Sequence, residues 1–266
     1  MPEFTRSTPL SINISLPTGS VDVVAEERDN VNVTVTPYGS SRQDREAAEA
    51  TKVVLNRDEL TIEAPKGTGY LRSTVQLKIE VQAPIDSDIQ VSVASATIKC
   101  RGRYGVAVIK TASGDAEIED ATGNVKVQTA SGNVRINNVG GKLTAKTASG
   151  DITANDVAGA VNLRSASGDV TIAEAHADVR SKSASGALEI GVAHSGTISA
   201  NSASGEVTVG VVPNTAVWLD LDSQSGSINS DLDTSGSQPD SVDLTIQART
   251  ASGDIEILRA REKTTA

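Results

Sequence analysis

The sequence predicts an all-β protein that folds as a single-stranded parallel β-helix, or β-solenoid, with about 18 residues in each coil. Three observations predict this class. A short motif recurs at a near-constant interval, the residues between its copies alternate with period two, and aromatic residues make up only 2% of the 266 residues. A conventional core of this length uses several large aromatic side chains to fill its volume. A narrow aliphatic core, repeated many times, is therefore indicated.

The repeated motif is Ala-Ser-Gly-Asp or a close variant of it. Its serines are Ser113, Ser131, Ser149, Ser167, Ser185, Ser204, Ser225 and Ser252. The interval between them is constant at eighteen positions as far as Ser185, and it lengthens in the last three copies. One interval before Ser113 lies Ser95, in a degenerate first copy. Such a motif predicts a repeat protein, in which each coil needs its neighbours to complete the core.

Alternation with period two follows each motif, and this is the period of a β-strand. The sequence predicts inward columns three and five residues after the motif serine, and an inward pair in a second strand that follows a glycine turn. The first column is Ala116, Val134, Ile152, Val170, Leu188, Val207 and Ile255, and the second is Ile118, Ile136, Ala154, Ile172, Ile190, Val209 and Ile257. The second-strand pairs are Val125/Val127, Leu143/Ala145, Val161/Leu163 and Ile198/Ala200. Cys100 falls in the column of Ile118, which predicts a buried thiol rather than a reactive one.

The handedness of the winding is open to two interpretations. A coil of this length also suits the left-handed hexapeptide helix, which needs an aliphatic residue at every sixth position. Here the expected buried positions fall three, five, eight, twelve and fourteen residues after the motif serine. This spacing has no period of six, so it favours a right-handed winding over the left-handed alternative.

The sequence divides into three predicted regions. Residues 1–90 lack the motif and form an irregular β region that starts and caps the solenoid, and residues 91–258 form the repeats. Residues 259–266 form a charged tail that blunts the last edge strand. The first region holds one candidate helix, SRQDREAAEATKVVL, whose weak apolar face is Ala47, Ala48, Ala50, Val53 and Val54. Near the end, TSGSQPDSV is a predicted polar insertion, and Trp218 is expected to pack against the last coils.

Several runs of residues carry a resemblance to a known family. They are KTASGDAEI, TGNVKVQTASGNVRI, VAGAVNLRSASGDVTI, AVWLDLDSQSGSINSDL and ARTASGDIEI. Over nearly the whole chain, the sequence resembles the bacterial "putative adhesin" domain of unknown function, of the DUF4097 type. The resemblance implies a parallel β-solenoid. It implies no established activity, substrate or catalytic residue.

Composition argues against several functional classes. The net charge of −10 excludes a dedicated nucleic-acid binder, because neutralising phosphates needs a basic surface. A single cysteine excludes an intramolecular disulfide, and the two histidines, His176 and His194, leave little for zinc chemistry or His-based catalysis. The first residues do not form a signal peptide, and no apolar run approaches the ~20 residues that span a bilayer. The expected location is the cytoplasm, without membrane insertion; the alternative is export after removal of a signal.

Coil register also predicts two acidic rows. One follows the motif glycine and contains Asp115, Asn133, Asp151, Asp169, Glu206 and Asp254, and the other contains Asp120, Asn138, Asp156 and Glu174. Stacked carboxylates could bind Ca²⁺, which takes six to eight oxygen ligands. The favoured interpretation is structural, because Asp and Asn cap backbone N–H groups in turns. No metal ion or cofactor is therefore expected.

A basic row precedes the motif, and its cations Lys110, Lys146, Arg164 and Lys182 form the candidate interaction face. Equivalent positions hold Gln128, Asn201 and Arg249. The row could meet an anionic polymer or an acidic protein surface. The simpler and favoured interpretation is that the Asp row, five residues later, neutralises it across the same corner.

The sequence thus predicts a non-enzymatic scaffold or interaction module that presents a rigid repetitive face to an unknown protein, to a polymer or to another copy of itself. The alternative is a carbohydrate-binding or carbohydrate-active β-helix protein of the lyase or hydrolase type, since glycosidases need two carboxyl groups roughly 5–10 Å apart. The similarity of the coils from 113 to 205 argues against a catalytic site, which breaks repeat symmetry. An ice-binding array is disfavoured, because the column of Thr111, Thr129 and Thr147 continues as serine.

Overall fold

Parallel β-strands wind around an axis in a solenoid, and this confirms the predicted fold class. The structure is a computed structural model that describes residues 3–65, 75–232 and 242–260. The predicted polar insertion lies outside the described residues except for Val242, and so does the charged tail except for Arg259 and Ala260. The chain divides into two compact units, Met1–Asn137 and Asn138–Ala266.

The first unit combines parallel strands with an irregular N-terminal β region, as the sequence predicts. Its elements are β1 (Glu3–Thr5), β2 (Ser11–Glu26), β3 (Asn30–Pro37), α1 (Arg42–Ala50), β4 (Lys52–Asn56), β5 (Glu59–Glu63), β6 (Gln76–Pro84), β7 (Asp88–Tyr104), β8 (Ala107–Lys110), β9 (Ala116–Ala121), β10 (Val125–Gln128) and the start of β11 (Val134–Val139). The irregular part is antiparallel: β1 pairs with β3, β3 with β6, and β4 with β5.

Strand β2 lies in the interior of the sheet of the first unit, although it is the first long strand in the sequence. On one side it pairs in parallel with β7 along its length, with Ile12 opposite Ile89 and Val21 opposite Ile98. On the other side it pairs in parallel with β5 and then with β6. Because β5 and β6 come later in the sequence but lie outside β2, the order of the stack differs from the order of the chain.

Helix α1 confirms only the first part of the predicted helix. Ser41 is its N-cap, and the Ser41 hydroxyl accepts a hydrogen bond from the Asp44 N–H at 3.0 Å. The helix buries Asp44 and Ala47, and the Asp44 carboxylate accepts a hydrogen bond from the Gln76 N–H. The chain is already extended at Thr51, so Val53 and Val54 lie in β4, where β-branched residues are favoured. No helix of the described residues has the length and apolar character that crossing a membrane requires.

The second unit consists of short strands in two series. After the end of β11, they are β12 (Leu143–Lys146), β13 (Ile152–Val157), β14 (Val161–Arg164), β15 (Val170–Ala175), β16 (Val179–Lys182), β17 (Leu188–Ala193), β18 (Gly196–Ser202), β19 (Val207–Val211), β20 (Val217–Ser223), β21 (Ile228–Ser230), β22 (Leu244–Thr250) and β23 (Ile255–Arg259). One parallel ladder contains β12, β14, β16, β18, β22 and β20 in that order. The other contains β13, β15, β17, β19, β23 and β21.

The final coil of the sequence is therefore not the outer coil of the second unit. Strand β22 pairs with β18 on one side and with β20 on the other, and β23 likewise lies between β19 and β21. The expectation that residues after 258 follow an edge strand is wrong in this respect, because β23 has a partner on both sides. Among the strands that the structure describes in this unit, β20 and β21 are the outer ones at this end of the two ladders.

The predicted inward columns form the aliphatic core. Every residue of both columns and of the four second-strand pairs is buried. A further column, eight residues after the motif serine, is also buried, and it contains Ala121, Val139, Val157, Ala175 and Ala193. Cys100 is buried opposite Val23 and Ile118, as predicted. Burial is the main cause that raises the pKa of the Cys100 thiol to about 12, with a smaller contribution from Asp22.

Candidate functional site

The repeated motif forms a corner that the hydroxyl before it and the glycine within it stabilise. The Thr147 hydroxyl accepts a hydrogen bond from the Gly150 N–H at 2.8 Å, and the Ser183 hydroxyl accepts one from Gly186 at the same distance. The glycine is required because the coils approach closely: a Cβ at Gly168 would lie 2.1 Å from the Gly150 carbonyl oxygen. Thr111, Thr129 and Thr147 are buried in these corners, so they do not form an exposed threonine array.

The Asp row that follows each motif binds backbone N–H groups of the adjacent coil. The Asp151 carboxylate accepts a hydrogen bond from the Asp169 N–H at 3.0 Å, and Asp169 accepts one from Ala187 at 2.8 Å. Asp115 and Asp254 make the equivalent contacts to Asn133 and Ser227. At Asp254, the hydrogen bonds from the Ser227 backbone and then its side chain lower the pKa of the carboxyl group. These contacts favour the structural interpretation of the row.

Three residues of the predicted basic row stand in one column of the second unit. Lys146, Arg164 and Lys182 occupy matching positions of β12, β14 and β16, and the column continues with Asn201 and Arg249. Neighbouring strands of a sheet lie about 4.8 Å apart, so these charges repeat at that interval. All three side chains are exposed. The structure thus brings together three of the four residues of the candidate interaction face.

On β12, β14, β16 and β18, the outward positions around this column carry cations without carboxylates. We define the cationic face as the two outward positions of each of β12, β14, β16 and β18 that are in register across all four strands. They are Thr144, Lys146, Asn162, Arg164, Arg180, Lys182, Ser199 and Asn201. Four of these eight residues are cations and none is acidic. Arg180 lies two residues before Lys182, so strand alternation predicts it on the same side, although the predicted basic row does not include it.

The predicted neutralisation across the corner does not take the form of direct ion pairs. In the described ranges 3–65, 75–232 and 242–260, Lys146, Arg164 and Lys182 contact no carboxylate within 4.0 Å. The Asp row uses carboxylate oxygens on backbone N–H groups instead. Neighbouring cations do pair: Arg180 lies 3.6 Å from Asp178, and Arg249 lies 3.0 Å from Asp220. The three central cations are therefore available to an external anion.

Lys110 lies in the first unit, opposite Gln128 in the pairing of β8 with β10. It borders an open groove of about 630 Å³ that is lined mainly by small and apolar residues, among them Pro17, Val93 and Ala112. Among the residues that the structure describes, no second cation lines this groove. Lys110 thus borders a groove of the first unit whose other lining residues carry no charge.

Trp218 does not pack against the last coils as expected. Its side chain is 48% exposed. Trp218 lies on β20, the outer strand of the first ladder, and pairs with Thr245 on β22. The physical reason is the strand alternation, since Val217 and Leu219 pair with the buried Leu244 and Ile246 and Trp218 between them faces outward. Trp218 therefore stands on the same side of the ladder as the cationic face.

Comparisons with known proteins agree with this architecture. A crystal structure described as a "putative adhesin" from Bacteroides fragilis aligns with 97% of this chain and 95% of its own, at 12% identity and a TM-score of 0.51. A "putative lipid binding protein" from Parabacteroides distasonis aligns with 97% of this chain and 96% of its own, at 14% identity and a TM-score of 0.43. At these identities, the likeness to the Bacteroides fragilis structure concerns the fold alone. No curated protein matches the sequence.

A family model covers the solenoid almost from end to end. It matches residues 11–258, which begin at β2 and end within β23. The match includes the irregular N-terminal region, the regular coils and the inserted final coil. The chain therefore belongs to the Toastrack DUF4097 family of proteins of unknown function.

Proposed function

We propose that this protein is a non-enzymatic interaction module that binds a linear anionic polymer along the cationic face. The observation that supports this most is the column of Lys146, Arg164 and Lys182, which is exposed and makes no ion pair with a described carboxylate. Like charges held about 5 Å apart repel one another, so the column costs stability rather than adding it. A bound anion with regularly spaced charges removes that repulsion.

A linear polymer suits the geometry better than a single small anion. The three cations repeat in one direction at the strand spacing, and the neighbouring Arg180 lies on the same face. The outward positions of β12, β14, β16 and β18 offer threonine, asparagine and serine as further hydrogen-bond partners. They offer no carboxyl group, whereas glycoside hydrolysis uses a pair of them. The proposed role is therefore capture without cleavage.

The test compares binding and stability in one variant. The double variant Lys146→Glu/Arg164→Glu is titrated with dextran sulfate, and neutral dextran serves as the control polymer. A unit charge contributes about 1 kcal/mol at 4 Å in water, so this change of four unit charges should weaken binding at least about tenfold. The melting temperature should move little, because exposed charge contacts contribute about 0–1 kcal/mol. Binding by the parent protein should also weaken as salt rises.

A matched control variant has the same net charge as the Lys146→Glu/Arg164→Glu variant but leaves the cationic face intact. Arg45→Glu/Lys52→Glu reverses two exposed cations in α1 and β4 and changes the total charge by the same amount. It should bind dextran sulfate as the parent protein does. Equal loss in both variants would show that only net charge matters. Unchanged binding in the first variant, or shortening of the polymer during incubation, would also contradict the proposal.

A carbohydrate as the polymer backbone is the second candidate, and the exposed Trp218 favours it. An aromatic face packs against the apolar face of a sugar ring while the hydroxyl groups bind polar neighbours. Trp218 is the single tryptophan, so its fluorescence reports directly on binding. Trp218→Ala should weaken binding of dextran sulfate but not of inorganic polyphosphate. Equal effects on both polymers would remove the carbohydrate from the proposal.

A further inference from the structure

Two histidines occupy equivalent positions in successive coils of the second unit. His176 follows β15, and His194 follows β17 one coil later. The His176 N–H donates to the Val157 carbonyl at 3.1 Å, and the His194 N–H donates to Ala175 at 2.9 Å. The backbone ladder thus fixes both residues in the same register. Their imidazole rings stack with centroids 4.1 Å apart and planes 17° apart.

The imidazole nitrogens are directed at carboxylates of the second acidic row. His194 Nε2 lies 3.5 Å from Glu174 Oε2, and His176 Nε2 lies 3.9 Å from the same oxygen. His176 Nε2 also lies 3.1 Å from Asp156 Oδ1. Glu174 and Asp156 are register partners on β15 and β13, so two adjacent columns of the ladder bring these four side chains together.

One nitrogen of this cluster has no hydrogen bond. His194 Nε2 is shielded from solvent, and no donor or acceptor within the described part of the chain satisfies it. A buried polar atom without a partner costs stability, so such an atom calls for an explanation. The Glu174 carboxylate oxygen Oε2 lies 3.5 Å from it, a separation that a metal ion can bridge. One ligand atom from each of Glu174, His176 and His194 lies within 4.8 Å of the other two.

The separations fit a tetrahedral transition metal. Ligand atoms about 2.0–2.1 Å from a tetrahedral Zn²⁺ lie about 3.3 Å from one another. The distances from Glu174 Oε2 to His194 Nε2 and to His176 Nε2, 3.5 and 3.9 Å, exceed that value by only a few tenths of an ångström. Imidazole and carboxylate together suit Zn²⁺ and its neighbours in the transition series, whereas Ca²⁺ takes six to eight oxygen ligands. The Asp row of the motif corners, by contrast, contains no nitrogen ligand.

We propose that His176, His194 and Glu174 bind one Zn²⁺ ion on the second unit. Ligation requires the stacked rings to turn apart, so that both Nε2 lone pairs converge on the ion. About a third of each imidazole surface is exposed, at 35%, which leaves room for that rotation. The ion would join successive coils through side chains that are not part of the cationic face, so this site is independent of the proposed polymer binding.

The test is direct because the sequence contains only two histidines, and both belong to the proposed site. The untagged chain contains no other imidazole, so NMR signals of the imidazole protons report on these two residues only. Addition of Zn²⁺ at pH 7.5 should shift the signals of both histidines together, with saturation at one ion per chain. The melting temperature should rise with Zn²⁺, because the ion binds the folded state. Co²⁺ in place of Zn²⁺ should give the visible absorption of a tetrahedral complex.

Variants separate the site from adventitious binding. His176→Gln, His194→Gln and Glu174→Gln should each weaken Zn²⁺ binding by at least about tenfold, since even loss of a group that only supports a ligand costs 10–100-fold. Glu189→Gln removes an exposed carboxylate of β17 and should leave binding unchanged. Shifts of one histidine alone, binding that does not saturate at one ion, or equal affinity in Glu174→Gln would each overturn the proposal.

Discussion

The regular coils of the second unit and the coils that contain β2 or β22 all bury aliphatic columns, but they connect their strands differently. In the regular coils of the second unit, each strand pairs with its equivalent in the next coil of the sequence, as Ile152 does with Val170. In the first unit, Val21 pairs with Ile98, and near the end of the second Ile198 pairs with Ile246. A constant interval therefore determines which strands are neighbours only while the interval lasts. Where the interval changes, the neighbouring position in the sheet is occupied by a strand that is distant in the sequence.

The energetic reason for this difference lies in the free edges of a sheet. Insertion of β2 or β22 between two other strands gives its backbone groups partners on both sides. Closing a longer loop costs only about 0.6 kcal/mol for each doubling of its length. The separation of Val21 from Ile98 is about two doublings beyond that of a regular coil, so the added cost is about 1 kcal/mol. A few hydrogen bonds, at about 0.5–1.5 kcal/mol each, offset it.

The largest expected effect is the loss of stability when an inward leucine is replaced by aspartate, and it should be greater in a regular coil than in an outer one. Leu163 is buried in β14, with neighbours on both sides, so Leu163→Asp buries an unpaired carboxylate and should destabilise the fold by about 3–5 kcal/mol or more. Leu219 lies on the outer strand β20 and is only half-buried, so Leu219→Asp should cost clearly less. Urea unfolding of both variants measures the difference. A soluble Leu163→Asp protein with normal melting would refute the inward column.

The corner glycines test whether the inserted coil packs like a regular one. A Cβ at Gly168 would lie 2.1 Å from the Gly150 carbonyl oxygen, and a Cβ at Gly253 would lie 2.2 Å from that of Gly205. Gly168→Ala and Gly253→Ala should therefore destabilise the protein by similar amounts, about 1–3 kcal/mol. Gly39→Ala is the control, because its Cβ would meet no backbone atom and only one side-chain oxygen, Oδ2 of Asp44, at 3.0 Å. If Gly253→Ala melted like the parent protein, the inserted coil would be placed wrongly.

Substitution of Cys100 should have a smaller effect on stability, and this effect tests the pairing of β7 with β2. The thiol lies between Val23 of β2 and Ile118 of β9, and its pKa is raised from 9.0 to about 12. Since the folded state holds the proton more tightly than the unfolded state, the stabilisation is present below pH 9 and is lost as the pH rises towards 12. At pH 10 the loss is about 1 kcal/mol. Cys100→Ala should remove this decrease of the unfolding free energy between pH 9 and 12. An unchanged decrease would contradict burial of the thiol between β2 and β9.

Sequence patterns were sufficient to predict the core but not the order of the stack. The period of two and the motif interval identified the buried columns, down to Cys100, because each residue's side of the strand depends only on local alternation. The insertion of β22 depends on pairing between residues that are distant in the sequence, such as Ile198 and Ile246, and no local pattern encodes it. The direction of the winding stays a prediction.

The candidate site was likewise predictable only in part: the side of the strand was, but the contacts of the side chains were not. Alternation was enough to place Lys146, Arg164 and Lys182 in one exposed column. It could also have placed Arg180 beside that column and Trp218 on the same side of the ladder. The contacts of the Asp row decided whether those cations are paired, and such contacts need atomic positions. The stacked His176 and His194 were visible as a spacing of one coil. Their approach to Glu174 depends on side-chain directions that no spacing gives.

The most direct test of the insertion asks which strand lies beside β18. In a Cys100→Ala background, Asn201→Cys is combined either with Arg249→Cys on β22 or with Asp222→Cys on β20. The structure places Asn201 and Arg249 in register on neighbouring strands, about 4.8 Å apart, within the Cα range that a disulfide spans. Asp222 lies one strand further, at about 9.6 Å, beyond that range. Mild oxidation should cross-link the first pair and not the second. Cross-linking of the second pair alone would show that the coils stack in chain order and would contradict the insertion.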